Sequence, residues 1–185
     1  MSLSDIRRLT IDDLTGCLEL AANRDWPREE HKWRLLFDVG EVYGIVEPGA
    51  GVVATTIVTR YGGGAAISMV LVAARHERKG LGGRLMRHAL ERSGDGAVML
   101  YATEFGRPLY ERLGFEDVAR TLIADLAAGD ARPLRVDVGH EFPGLRAWVS
   151  ERGLAPRFAV TRMAVGGRQP GDRTRSFAPL MQALG

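Results

Sequence analysis

Apolar and polar positions follow one another along this chain in blocks whose period changes several times, and each change marks a predicted element. Residues 5–9 read as a short strand. Thr10 and Asp13 then make a capping-box-like helix start, after which Leu14, Cys17, Leu18 and Ala21 recur on one face. Asn23-Arg24-Asp25-Trp26-Pro27 breaks this helix. A second helix over residues 28–37 places Trp33, Leu36 and Phe37 on one side, and Gly40 ends it. Three β-rich runs follow, residues 41–47, 52–61 and 65–73, separated by Pro48-Gly49-Ala50-Gly51 and Gly62-Gly63-Gly64. Links this short imply an antiparallel meander.

The period then changes back. Gly80-Leu81-Gly82-Gly83 leads into a helix over residues 81–92, with Leu81, Leu85, Met86, Ala89 and Leu90 as its apolar stripe. Ser93-Gly94-Asp95-Gly96 stops it, and residues 97–102 form a short continuous apolar strand. Pro108 opens a brief helix ending at Gly114, and residues 115–126 return as a strand. The order is β-α-α-β-β-β-α-β-α-β, which predicts an α/β (α+β) protein with a mixed, mostly antiparallel central sheet flanked by helices. Beyond the break at Ala128-Gly129-Asp130 and Arg132-Pro133, Phe142-Pro143-Gly144 leads into a helix with Leu145, Trp148 and Val149. Gly153 and an alternating strand over residues 158–165 follow.

Composition narrows the function classes. At 185 residues, 45% hydrophobic and 26% charged, the chain reads as one globular domain with an appendage. The N-terminus carries no basic-then-apolar leader, and no run of about 18 apolar residues occurs, so the expectation is a cytoplasmic protein that does not enter the membrane. Cys17 is the only cysteine, and His31, His76, His88 and His140 are scattered, so neither metal nor redox chemistry is expected.

Charge is distributed unevenly. Residues 75–92 hold six Arg or Lys against two Glu, although the whole chain is only +2. One basic window points to a local anion site more than to a nucleic-acid surface, which needs a broader basic face with interleaved aromatics. The same window also reads as a solvated helix face. What separates the two is the glycine loop inside it. Arg78, Lys79, Gly80, Leu81, Gly82 and Gly83 lie between a strand and a helix, where unpaired N–H groups at the helix N-terminus attract an anion and glycine lets a phosphate approach. The loop matches neither G-x-x-x-x-G-K-[ST] nor G-x-G-x-x-G. Without the Lys and Ser/Thr that serve terminal phosphates and Mg²⁺, such a loop suits a pyrophosphate that is held and not cleaved, as in coenzyme A.

On these residues the chain resembles the GCN5-related N-acetyltransferase (GNAT) family, whose signature Q/R-x-x-G-x-G/A joins the fourth strand to the third helix. Here it reads Glu77-Arg78-Lys79-Gly80-Leu81-Gly82, with Glu77 in place of Gln or Arg. A second stretch, Leu109-Tyr110-Glu111-Arg112-Leu113-Gly114-Phe115, resembles the family's L-Y-x-x-L-G-F segment. The resemblance covers roughly residues 3–125 and implies the acyl-CoA N-acyltransferase fold with acetyl-CoA as acetyl donor and no metal. It further implies that Val70, Leu71 and Val72 pair with the pantetheine arm, that the backbone of residues 78–83 holds the pyrophosphate, and that Thr103 stands where many members have Asn. Tyr110 takes the place of the general acid that protonates the departing thiolate, although an aromatic between Leu109 and Leu113 also reads as core. The acceptor is implied to be a primary amine of a small molecule or peptide. Its general base is not identified among Asp25, Glu29, Glu30, His31 and Glu104.

The resemblance divides the chain into an acetyltransferase domain, residues 1–126, and an extension, residues 127–185. In the extension Glu151-Arg152-Gly153-Leu154 echoes Glu111-Arg112-Leu113-Gly114-Phe115, as a partial second unit packed on the first domain would. The readings left open are a CoA-binding module without turnover and a homodimeric assembly.

Overall fold

The computed structural model of the chain describes residues 5–125, 135–154 and 156–167. Its eight strands are β1 (Ile6–Arg8), β2 (Glu41–Glu47), β3 (Gly51–Tyr61), β4 (Gly64–Val72), β5 (Ala97–Ala102), β6 (Glu116–Asp125), β7 (Arg135–Gly139) and β8 (Pro156–Val165). The helices are α1 (Leu14–Asn23), α2 (Glu30–Val39), α3 (Leu81–Ser93), α4 (Arg107–Glu111) and α5 (Pro143–Glu151). All strands join one sheet in the order β1-β2-β3-β4-β5-β8-β6-β7. Only β4 and β5 run parallel, connected through α3, and every other pair is antiparallel.

The expected mixed, mostly antiparallel sheet is therefore present, and the differences from the predicted elements are local. The helix expected from Thr10 opens as a 3₁₀ turn, Ile11–Asp13, in which the Asp13 carboxylate accepts from the Thr10 N–H at 2.9 Å. On α1 the buried face is Leu14, Cys17, Leu20 and Ala21, with Leu18 only half-buried. Helix α2 begins two residues later than the pattern predicts, because the chain from Pro27 to Glu29 (Glu29 ψ 74°) turns tightly, with the Glu29 N–H donating to the Pro27 carbonyl, before it enters the helical region.

Two large apolar clusters fill the molecule. One joins α1 and α2 to β2, β3 and β4 through Trp33, Leu36, Ile45, Ile57 and Leu71, and takes in Leu81 and Leu85 from α3. The other lies between α3 and β4–β5, where Met86 and Ala89 meet Ile67, Val98, Leu100 and Ala102 together with Tyr110, Phe115 and Met163. Helix α3 thus contributes to both cores and fixes the loop that precedes it. A small third cluster, Val138 with Val149, Leu145 and Leu154, ties α5 to β7. Trp148, placed by its spacing on the apolar face of α5, is instead 38% exposed, with the Arg152 guanidinium 4.2 Å from the centre of its ring.

Residues 127–185 contribute β7, α5 and β8 among their described part, and β8 lies inside the sheet, hydrogen-bonded to β5 on one side and β6 on the other. The echo between residues 111–115 and 151–154 takes the form of a shared helix ending. Both α4 and α5 end on a left-handed glycine, Gly114 (φ 86°) and Gly153 (φ 65°). In each, the next residue's N–H reaches back five positions, Phe115 to the Tyr110 carbonyl and Leu154 to the Val149 carbonyl. This helix ending requires Gly followed by an apolar residue wherever it occurs. Among the described residues no helix is long and apolar enough to cross a membrane, and no group of three His, Cys, Asp or Glu is placed to hold a metal ion.

Candidate functional site

The two parallel strands part company. Their register runs Gly64 to Ala97, Ala65 to Val98 and Ala66 to Met99, and stops there, while β4 continues to Val72 and β5 to Ala102. Among the described residues, no strand pairs with β4 past Ala66 on the side toward β5, so a wedge opens whose lining backbone groups are available to a ligand. The wedge begins where β4 is irregular. Its register with β3 shifts between Thr55 and Ile57, and Met69 takes φ 48°, a left-handed conformation worth roughly 1–2 kcal/mol of strain for a residue with a Cβ. The Thr55 hydroxyl donates to the Met69 carbonyl at 2.9 Å and pins the irregularity in place. Val70 and Val72 are half-buried on this edge, and Leu71 is buried opposite Thr55.

Beyond β4 the chain makes a 3₁₀ turn, Ala74–His76, and enters the glycine loop. Arg78 (φ 58°) and Gly80 (φ 80°) are both left-handed and turn the chain into α3. Among the described residues no side chain caps α3, so the first-turn N–H groups face out of the helix at the positive end of its dipole. Arg78, Lys79 and Gly80 are exposed, Leu81 is buried and anchors the turn, and Gly82 and Gly83 are half-buried. Gly80 and Gly82 answer to different constraints. At Gly80 an added Cβ would meet nothing within 4 Å, so its φ selects glycine there. At Gly82 a Cβ would sit 3.3 Å from Leu109 Cδ2 and 3.8 Å from Val72 Cγ2, in a seam between β4 and α4 with no space for a larger side chain. Arg87, one turn along α3, lies back over the loop, its Nη1 3.6 Å from where a Gly83 Cβ would be. The sequence shows Arg87 only as one charge of the basic window; its position over Gly83 depends on the helix.

Tyr110 lies on α4, next to Leu109, which borders Gly82. It is 8% exposed, packs edge-on to Phe115 with ring centres 6.1 Å apart, and fits beneath Gly106, where a Cβ would be 2.9 Å from its Cε2. Burial pushes its phenol up to about 12, so the hydroxyl stays protonated throughout the neutral range. Thr103 shapes the entry to α4. Its hydroxyl accepts from the Gly106 N–H at 3.2 Å, and its carbonyl accepts from Gly106 and Arg107. The hydroxyl keeps its own proton for donation.

The acidic and histidine candidates separate by partner. Glu29 is paired with Lys32 and Glu30 with Arg34, both along α2. Asp25 (φ 56°) and His31 are exposed in and beside the α1–α2 turn, and Glu104 is exposed in the β5–α4 loop. The structure brings Val72 and the glycine loop together at one end of the wedge, where a Gly82 Cβ would lie 3.8 Å from Val72 Cγ2.

Comparison with known proteins agrees with this fold. Two family models, each described as an acetyltransferase (GNAT) domain, match residues 39–117 and residues 114–178. The uncharacterized N-acetyltransferase YitH of Bacillus subtilis (strain 168) is 27% identical over 115 residues, which cover 61% of this chain and 41% of that protein. The chain thus spans less than half the length of this curated relative. A crystal structure of a putative acetyltransferase from Pyrococcus horikoshii superposes with a TM-score of 0.86 at 13% identity, covering 100% of this chain and 97% of that one. The PaiA N-acetyltransferase of Thermoplasma acidophilum, solved in complex with coenzyme A, gives a TM-score of 0.54 at 14% identity over 72% of this chain and 96% of that one. At these identities the two structures show the fold. The fold is that of the acyl-CoA N-acyltransferases. With its two model matches overlapping into one continuous span, the chain belongs to the GNAT acetyltransferase family.

Proposed function

We propose that this chain transfers the acetyl group of acetyl-CoA to a primary amine of a small molecule or peptide, by direct attack of the amine while both substrates are bound. The observation that carries this reading is the split between β4 and β5, with the uncapped N-terminus of α3 at its end. An extended arm can pair with the free edge of β4 at Val70, Leu71 and Val72 as an added strand, leaving its pyrophosphate at residues 78–83. The residues fit such a group. Unpaired backbone donors, an exposed Arg78 and Lys79, and a glycine at position 82 suit a diphosphate held against main chain. Acetyl-CoA supplies an activated thioester.

The chain's own groups then position and polarise. A main-chain N–H of the irregular stretch around Met69 to Val72 donates to the acetyl carbonyl oxygen and stabilises the charge that develops there; one such donor is typically worth 10² to 10³ in rate. Tyr110, protonated at neutral pH, donates its hydroxyl hydrogen toward the departing sulfur. Because an ordinary thiol, near pKa 8.5, is a stronger acid than this phenol, the contribution of Tyr110 is greatest as a hydrogen bond that strengthens while negative charge builds on sulfur. The base that takes the amine proton is not assigned among Asp25, Glu29, Glu30, His31 and Glu104, and acts directly or through water.

The reading is tested by incubating the protein with acetyl-CoA and a panel of amines, following free thiol and product mass. Release of thiol that depends on one amine, with a product heavier by one acetyl group, is the expected result. CoA binding without amine-dependent thiol release from any member of a broad panel would favour the non-catalytic alternative.

A further inference from the structure

Glu77 presents a problem for the loop it precedes. It is a carboxylate one residue before the basic glycine loop, and an anion entering at residues 78–83 would meet its negative charge within the span of four peptide units, at most about 14 Å from Leu81. The chain supplies a local answer from a distant part of the sequence. Arg24, at the C-terminal end of α1, forms a charged hydrogen bond with Glu77, and the pair is only partly exposed, at 23% and 36% of their side chains. A second contact runs beside it, from the Ala74 N–H to the Asn23 side-chain carbonyl at 2.9 Å. The end of α1 therefore holds the segment leading into the loop at two consecutive residues. On its other side the Arg24 guanidinium lies 5.7 Å from the ring centre of Phe105, which is 77% exposed in the β5–α4 loop. One side chain thus links the three segments that surround the open end of the wedge.

We propose that Arg24 is a positioning residue for the glycine loop: it cancels the charge of Glu77 and fixes the approach to residues 78–83, so that a diphosphate can settle on the loop without repulsion. The inference rests on the reading of residues 78–83 as the pyrophosphate site. Arg24 has no need to touch the ligand, and this distinguishes it from Arg78 and Lys79.

The test is a double-mutant cycle read by calorimetric titration of coenzyme A into the full chain, with wild type, Arg24→Ala, Glu77→Gln and the double variant. Arg24→Ala is expected to weaken binding about tenfold, a typical consequence of exposing one like charge near an anion site. Adding Glu77→Gln to it is expected to restore binding to within roughly threefold of wild type, since the charge to be cancelled is gone. If Arg24→Ala does not fold, Arg24→Gln keeps the side-chain length and carries the same cycle. Equal weakening with and without Glu77→Gln would mean that Arg24 acts on the ligand or on the fold, and would overturn the proposal, as would undiminished binding in Arg24→Ala. Wild-type protein that takes up no coenzyme A would instead bring down the cofactor reading, and this inference with it.

Discussion

A chain ending at residue 126 is expected to yield no cooperatively folded protein. Strand β8 lies between β5 and β6, antiparallel to both, and its removal would leave the facing edges of two interior strands unpaired. Met163, Thr161 and Val160 would go with it, and all three are buried, Met163 completely. Met163 belongs to the core that also holds Tyr110 and Phe115, so its loss opens a cavity beneath the proposed catalytic side chain. Losing one such buried side chain is worth about 2–5 kcal/mol, against a total stability for a domain of this size of about 5–15 kcal/mol. Ten strand residues lost from the middle of a sheet should exceed that margin. The new edges are also templates for aggregation. Circular dichroism in the near-ultraviolet and a thermal melt decide the matter: the truncated chain should show neither fixed aromatic signals nor a sharp transition. A soluble truncated protein melting at the temperature of the full chain would show that β8 is dispensable.

The second large effect is expected at Tyr110. Replacing it with Phe removes one oxygen from a ring already packed against Phe115 and Gly106, so the fold and the glycine loop should persist. Turnover should fall by about 10² to 10⁴, the range associated with loss of acid–base assistance, with coenzyme A affinity largely kept. The sign of the pH dependence is also set. A phenol pushed up to about 12 by burial remains protonated as pH rises through the neutral and mildly alkaline range. Any alkaline loss of activity below that point therefore belongs to another group, and any acidic loss to protonation of the acceptor amine or its base. Steady-state and single-turnover rates of both proteins across pH test this. Unchanged single-turnover rates in Tyr110→Phe would assign Tyr110 to the core alone.

Local elements were legible in the chain because local chemistry determines them. Gly62-Gly63-Gly64 and the alternation on either side of it specify the β3–β4 turn, and the helical stripe of Leu81, Leu85, Met86 and Ala89 specifies α3. The turn into α3 at residues 78–83 was legible for the same reason, since the glycine spacing specifies it. Three features were not. The place of β8 between β5 and β6 depends on contacts some sixty residues apart, as between Met99 and Ala164, and alternation in a strand does not say which edge it joins. The parting of β4 from β5 leaves no mark in an apolar run, and the left-handed Met69 looks like any other strand methionine. The pairing of Arg24 with Glu77 joins residues 53 positions apart, each of which reads alone as a solvated charge.

The claim on which the rest depends is that the loop at residues 78–83 and the free edge of β4 together hold coenzyme A. Calorimetric titration of coenzyme A into the wild-type chain and into Gly82→Val tests it most directly. Valine at this position drives its branches into Leu109 and Val72, where a Cβ alone already lies 3.3 Å from Leu109 Cδ2, and so fills the approach to the first turn of α3. A melt of each protein separates loss of the site from loss of the fold. The account predicts saturable binding of one coenzyme A per wild-type chain and no measurable binding to a folded Gly82→Val. Equal affinity in the two proteins, or no binding to wild type, would contradict it.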